Sequence, residues 1–191
     1  MSDNRVERLS GPHAALFALG CAQRLLPLYQ LFQQEQRFDL DSVLPALLAR
    51  LWTELEQHSG TRPLSGLAAV ASRFIPHADD FGGCLITAAQ NFGVCIDVAL
   101  EFGGEPHDPQ VTVVCVPDLV EEALVSVELC RTTGYLNAGD DEALSNIEKR
   151  ILDGDVLRAE RARQSRCLKA IIASALLTPD LVRGVREQSL R

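Results

Sequence analysis

The segment RFIPHADDFGG, residues 73–83, places a histidine, two adjacent carboxylates and two glycines within a few positions. His77, Asp79 and Asp80 have the side-chain types that ligate metals or move protons. A metal also needs ligands converging from a second element. The chain offers no His-x-x-x-His pair and no second acidic cluster at matching spacing. Helix initiation fits the pattern better: after Pro76, one aspartate can accept an orphan amide while the other suits the positive helix start. Asp79 or Asp80 is therefore expected to cap a helix that starts around DDFGG and runs through CLITAAQNFGVCIDVALEF to Gly103-Gly104.

Arg24 and Tyr29 flank Pro27, where a carbonyl loses its amide partner. Arg24 is expected to satisfy such carbonyls or to pair with Asp79 or Asp80 across the protein; a clamp for a ligand carboxylate is the sharper alternative. Arg24, Tyr29, His77, Asp79 and Asp80 thus form one candidate cluster, structural or ligand-binding. A second feature is acidic. Glu121, Glu122, Glu128, Asp140, Asp141 and Glu142 could present a surface to a basic partner. The cations Arg158, Arg161, Arg163, Arg166 and Lys169 spread around one late helix and read first as a solvated face. The six cysteines, at 21, 84, 95, 115, 130 and 167, contain no Cys-x-x-Cys and read as small buried hydrophobes, with Cys95 reactive only if exposed. No phosphate-binding loop, nucleophile elbow, zinc-protease motif or dinucleotide-binding glycine pattern occurs. No catalytic residue, metal or cofactor is assigned, and the reading leans away from an enzyme.

The elements that must position these groups are helical. Aromatics are only 5% of the 191 residues, so the core must be aliphatic, which favours helix over sheet. Ser10 is a capping hydroxyl ahead of Gly11 and Pro12. Apolar residues then recur at helical spacing to Leu26, and Pro27 should kink or end that helix, leaving PLYQLFQQEQR as a second one. Asp39 or Asp41 caps a third, whose stripe is Leu44, Leu47, Leu48, Leu51, Trp52 and Leu55. LSGLAAVASRFI is a fourth. VTVVCV, residues 111–116, has strand composition without a neighbour to pair with, so a linker or a distorted helix start is expected. Further helices follow from Pro117, through LSNIEKRIL, and from Asp155 to Leu177, where Pro179 bends the chain before a loose tail. The sum is an all-α, single-domain helical bundle of seven to eight helices, with flexible ends at 1–9 and 186–191.

A net charge of −8 argues against nucleic-acid binding. The polar, acidic start and the lack of an apolar run of about 18 residues point to a cytoplasmic protein without a membrane partner. A protein partner, basic in character, or a second copy of the chain remains as the expected associate.

Three motifs carry a family resemblance. Cys21, Arg24, Pro27, Tyr29 and Phe32 form a Cys-x-x-Arg-x-x-Pro-x-Tyr-x-x-Phe run, Trp52 is followed by Leu55, and Ile75-Pro76 precedes Ala78-Asp79-Asp80-Phe81. This resembles the YjaG-like bacterial proteins (domain of unknown function 416), best over residues 14 to 90. The resemblance implies an all-α fold and no assigned activity. Where the family continues into Tyr-Gly-x-Tyr-Pro-Ala, this chain has GGCLITAA, without either tyrosine or the proline. The composite expectation is a non-enzymatic helical protein that binds another protein, an immunity or antitoxin-type inhibitor being one form. The alternative is a small-molecule or metal-dependent function at the Arg24 to Asp80 cluster.

Overall fold

The computed structural model describes residues 5–9, 11–57, 65–102, 113–133 and 141–190. Eight α-helices occur among them: α1 (Gly11–Gln36), α2 (Val43–Gln57), α3 (Ser65–Ala71), α4 (Ile86–Phe102), α5 (Val116–Thr133), α6 (Asp141–Leu152), α7 (Asp155–Ile172) and α8 (Pro179–Leu190). Single 3-10 turns cover Val6–Arg8, Ser72–Phe74 and Val113–Cys115. No strand occurs among the described residues, and the expected all-α bundle is what forms. VTVVCV is the distorted helix start rather than a strand over Val113–Val116; Val111 and Thr112 lie outside the described residues, as does Ser10.

α1 is the axis of the bundle, packed by α2, α4, α5, α7 and α8. Its residues Leu16, Leu19, Cys21, Ala22, Leu25 and Tyr29 are fully enclosed. One expectation fails here, because α1 continues through Pro27 instead of ending at it. A proline inside a helix costs about 3 kcal/mol through the lost amide bond and ring clash. That cost falls on an exposed position, while Leu25, Tyr29 and Phe32 are buried on the inner side. Packing on both sides of the proline outweighs the local penalty.

The other end of the chain also differs from expectation. Pro179 opens α8, a first-turn position where its missing amide is harmless. α8 is no loose tail, since Val182, Val185 and Ser189 are buried against α1 and α2. Val6 and Leu9 are buried as well. Within the ends expected to be flexible, 1–9 and 186–191, Val6, Leu9 and Ser189 are thus buried. The helix count agrees with the sequence reading because one expected break vanished and one unexpected helix appeared.

α2 begins as expected at an aspartate. Asp39 Oδ1 accepts the Val43 amide at 2.8 Å and Oδ2 accepts the Leu44 amide at 3.2 Å. Asp39 itself has φ near +45°, a left-handed conformation that aspartate tolerates better than most residues.

Candidate functional site

Arg24 and Tyr29 sit in two separate buried polar centres, while His77, Asp79 and Asp80 lie on an exposed turn. The first centre surrounds Arg24 on α1. Its Nε lies 2.7 Å from Glu160 Oε1 of α7, with the two side chains only 4% and 2% exposed. Nε lacks the alignment of a hydrogen bond, so this contact is Coulombic. The Nη atoms donate to Cys21 Sγ at 2.9 Å and Ser189 Oγ at 3.4 Å. Glu160 also accepts Arg163 Nη1 at 2.8 Å and Gln164 Nε2 at 3.1 Å. Burial works against the Arg24 charge, but Cys21 and Glu160 beside it outweigh burial and hold the guanidinium protonated. Cys21 is pushed up to about 12 by burial, only partly countered by Arg24, so it stays a thiol rather than a nucleophile. Arg24 is thus paired with α7, and the expected pairing with Asp79 or Asp80 is replaced by Glu160. The acidic partner sits 136 positions away, on the helix whose cations read from sequence as a solvated face.

Tyr29 anchors the second centre. Its hydroxyl donates to Asp39 Oδ2 at 2.7 Å, and Gln33 Nε2 donates to the Asp39 carbonyl at 2.7 Å. Burial and then the bond to Asp39 raise the Tyr29 pKa well beyond its usual value, keeping the phenol neutral. Its ring stacks on Phe92 at 4.4 Å. Beside Asp39 an open hollow of about 420 Å³ is lined by Gln30, Gln33, Gln34, Phe38, Leu40 and Ser42.

His77, Asp79 and Asp80 are exposed on a turn closed by the Asp80 amide donating to the His77 carbonyl at 3.0 Å. α4 starts only at Ile86, so neither aspartate caps it. The structural content of this motif is apolar. Phe81 packs edge-on to Phe32 at 5.4 Å and Phe38 at 5.2 Å. Pro76 is buried, and Ile75 fills the notch left by Gly93, where a Cβ would stand 2.7 Å from its Cγ1. The polar letters of HADDF are the outward face of an apolar clasp. Among the described residues, no group of three or more His, Cys, Asp or Glu could hold a metal.

The acidic residues divide. Glu121 accepts Arg161 at 2.7 Å and Glu128 lies 3.7 Å from Arg131. Glu122 accepts Asn91 Nδ2 at 3.2 Å. Asp141 and Glu142 open α6, and Asp140 lies outside the described residues. Sequence reasoning missed a larger pattern that was open to it. Between Arg73 and Arg131 the chain holds ten Asp and Glu residues and no Lys or Arg. The remaining sequence carries 16 acidic and 18 basic residues, so it is net positive and the whole excess of negative charge lies in this stretch. Within it, Asp97 and Glu101 sit one turn apart on α4 without a cationic partner among the described residues. Partial burial and then Glu101 raise the Asp97 pKa. An open cleft of about 300 Å³ lies at the last turns of α5, formed by Glu128 and Thr132 of α5, Ile147, Arg150 and Ile151 of α6, and Gly154, Asp155 and Val156.

An all-α bundle with a central buried Cys-x-x-Arg helix defines the class, and comparison with known proteins gives the family. The family model described as "Protein of unknown function (DUF416)" matches residues 2–191, and the chain belongs to that family. The match extends well past residue 90, where the resemblance in the motifs fades. A crystal structure of a DUF416 family protein from Shewanella baltica is similar in fold, with a TM-score of 0.71 at 23% identity over 98% of this chain and 92% of that one. No functionally curated protein matches. No described helix is long and apolar enough to cross a membrane.

Proposed function

We propose that this protein acts by binding a basic protein partner through the acidic face of α4 and α5, an inhibitor of a basic toxin being one concrete form. The observation that carries this reading is the confinement of all excess negative charge to residues 74–130. A field of one sign over one part of a surface steers and orients an oppositely charged partner. Asp97 and Glu101 add weight, because a like-charge pair uncompensated among the described residues costs stability that a cationic partner would restore. The cleft at the last turns of α5, lined by Ile147, Ile151 and Val156 beside Glu128 and Asp155, has the mixed character of a protein-binding surface. Arg24 and Tyr29, by contrast, are engaged inside the bundle with Glu160 and Asp39.

The test is affinity capture with the native protein and with an Asp97→Asn/Glu101→Gln/Glu122→Gln variant, the retained proteins being eluted by salt. A basic protein held by the native chain, released by salt and lost with the variant is the expected result. Equal retention by both, or no retention by either, counts against the reading. A second reading rests on the hollow beside Asp39, whose side-chain amides Gln30, Gln33 and Gln34 suit a neutral polar ligand. Ligand-induced stabilisation abolished by Gln33→Leu would favour it.

A further inference from the structure

The cysteines were expected to be uniformly buried, and three are: Cys21, Cys95 and Cys167. Cys84 and Cys130 are half-exposed instead, and Cys115 is exposed. The first two meet across the α4–α5 contact. Asn91 of α4 donates to the Leu119 carbonyl at 2.8 Å and to Glu122 Oε2 at 3.2 Å, which fixes the register of the two helices. Stepping back seven residues from Asn91 gives Cys84, and stepping forward eight from Glu122 gives Cys130. Cys84 precedes α4 by two residues, and Cys130 lies in the last turns of α5. The thiols do meet there, since Cys130 is hydrogen-bonded to Cys84. Burial, that bond and the neighbouring sulfur together raise Cys130 to about 11.

We propose that Cys84 and Cys130 form a reversible disulfide that fastens the start of α4 to the last turns of α5. Cys84 lies on a turn behind Gly82 and Gly83 rather than inside a helix, and Gly83 has φ near +102°. That turn can absorb the small adjustment that disulfide geometry demands. The oxidant is a low-molecular-weight disulfide. One thiolate of the pair attacks a sulfur of this reagent, forming a mixed disulfide and releasing one thiolate. The second cysteine, deprotonated by water, attacks the protein sulfur of the mixed disulfide and releases the other. Two electrons pass from the cysteine pair to the reagent, which leaves as two thiols. Buried Cys21, Cys95 and Cys167 are shielded from this chemistry.

The experiment uses the full native protein equilibrated in reduced and oxidised glutathione, quenched with acid and alkylated. Trypsin is unsuitable because no Lys or Arg separates residues 74 to 130. Cleavage after Glu and Phe places Cys84, Cys95, Cys115 and Cys130 on different peptides. The expected result is a Cys84–Cys130 linked peptide, two free thiols fewer, and a melting temperature raised by several degrees and restored by dithiothreitol. The Cys84→Ser variant should instead keep glutathione on Cys130. Full alkylation of Cys84 and Cys130 under conditions that glutathionylate Cys115 would overturn the proposal. Stable glutathione adducts on both cysteines of the native protein would overturn it equally.

Discussion

Replacing Glu160 by Met isolates what the buried ion pair does. Glu160 is 2% exposed and faces Arg24 at 2.7 Å, Arg163 at 2.8 Å and Gln164 at 3.1 Å. Arg163 is 26% exposed and can turn to water, and Gln164 keeps a bond to the Pro117 carbonyl at 3.2 Å. Arg24 has no such escape, being 4% exposed with only Cys21 and Ser189 left as acceptors. A buried charge stripped of its partner costs about 3–5 kcal/mol. That is a large part of the 5–15 kcal/mol typical of a domain. Arg24→Met with Glu160→Met removes both charges and replaces them with flexible apolar groups, which is often close to neutral. The double variant should therefore be more stable than Glu160→Met alone, with a coupling energy of about 2 kcal/mol or more. Urea unfolding followed by far-UV circular dichroism and by the fluorescence of buried Trp52 measures all four corners of the cycle. Two single-variant losses that simply add would refute the pair as the organising contact of α1 and α7.

Asp39→Ala should cost about 2–3 kcal/mol, since it removes a cap from two amides and leaves the Tyr29 hydroxyl unpaired; Asp79→Ala and Asp80→Ala, on their exposed turn, should stay within about 0.5 kcal/mol, and thermal melts separate the cases. Stability should fall as pH rises above about 9, because Cys21 keeps its proton in the folded state up to about 12 while the unfolded thiol loses it near its ordinary value. The slope approaches 1.4 kcal/mol per pH unit for this group, and urea midpoints at several alkaline pH values should show Cys21→Ala flattening it. Asp97→Asn should raise the melting temperature, because it removes a charge whose pKa is raised by partial burial and Glu101; a lowered melting temperature would show a compensating contact.

Local signals were legible where one residue decides one event. Asp39 or Asp41 reads as the cap of α2, and Asp39 is; the stripe Leu44, Leu47, Leu48, Leu51, Trp52 and Leu55 reads as apolar, and all but the partly buried Leu55 are buried. Pro27 misled because propensity is a local cost and the packing of Leu25, Tyr29 and Phe32 is a larger tertiary gain. Asp79 and Asp80 misled because capping chemistry and turn chemistry use the same residues. The Arg24 partner was not legible, since nothing in the sequence singles out Glu160 from the other acidic residues of a charged helix. Nor does spacing along the chain reveal that Cys84 and Cys130 meet, which depends on the register of α4 against α5.

The placement of α8 on α1 has a consequence for the order in which the molecule can be made. Gly20 of α1 lies so close to Ser189 and Val185 that a Cβ there would stand 3.1 and 3.4 Å from them. Arg24 reaches the same Ser189, and Arg186 lies 5.8 Å from the Trp52 ring centroid. During synthesis α1 emerges well before α7 and α8, with an inner face too apolar to stay in water. Until they follow, the chain presents an unfinished core, with the Arg24 charge waiting for Glu160. Closure by distant segments slows folding and lengthens exposure to aggregation. Production should benefit from slow synthesis at low temperature or from chaperones that hold apolar helices, and removal of residues 179–191 should send the chain to the insoluble fraction.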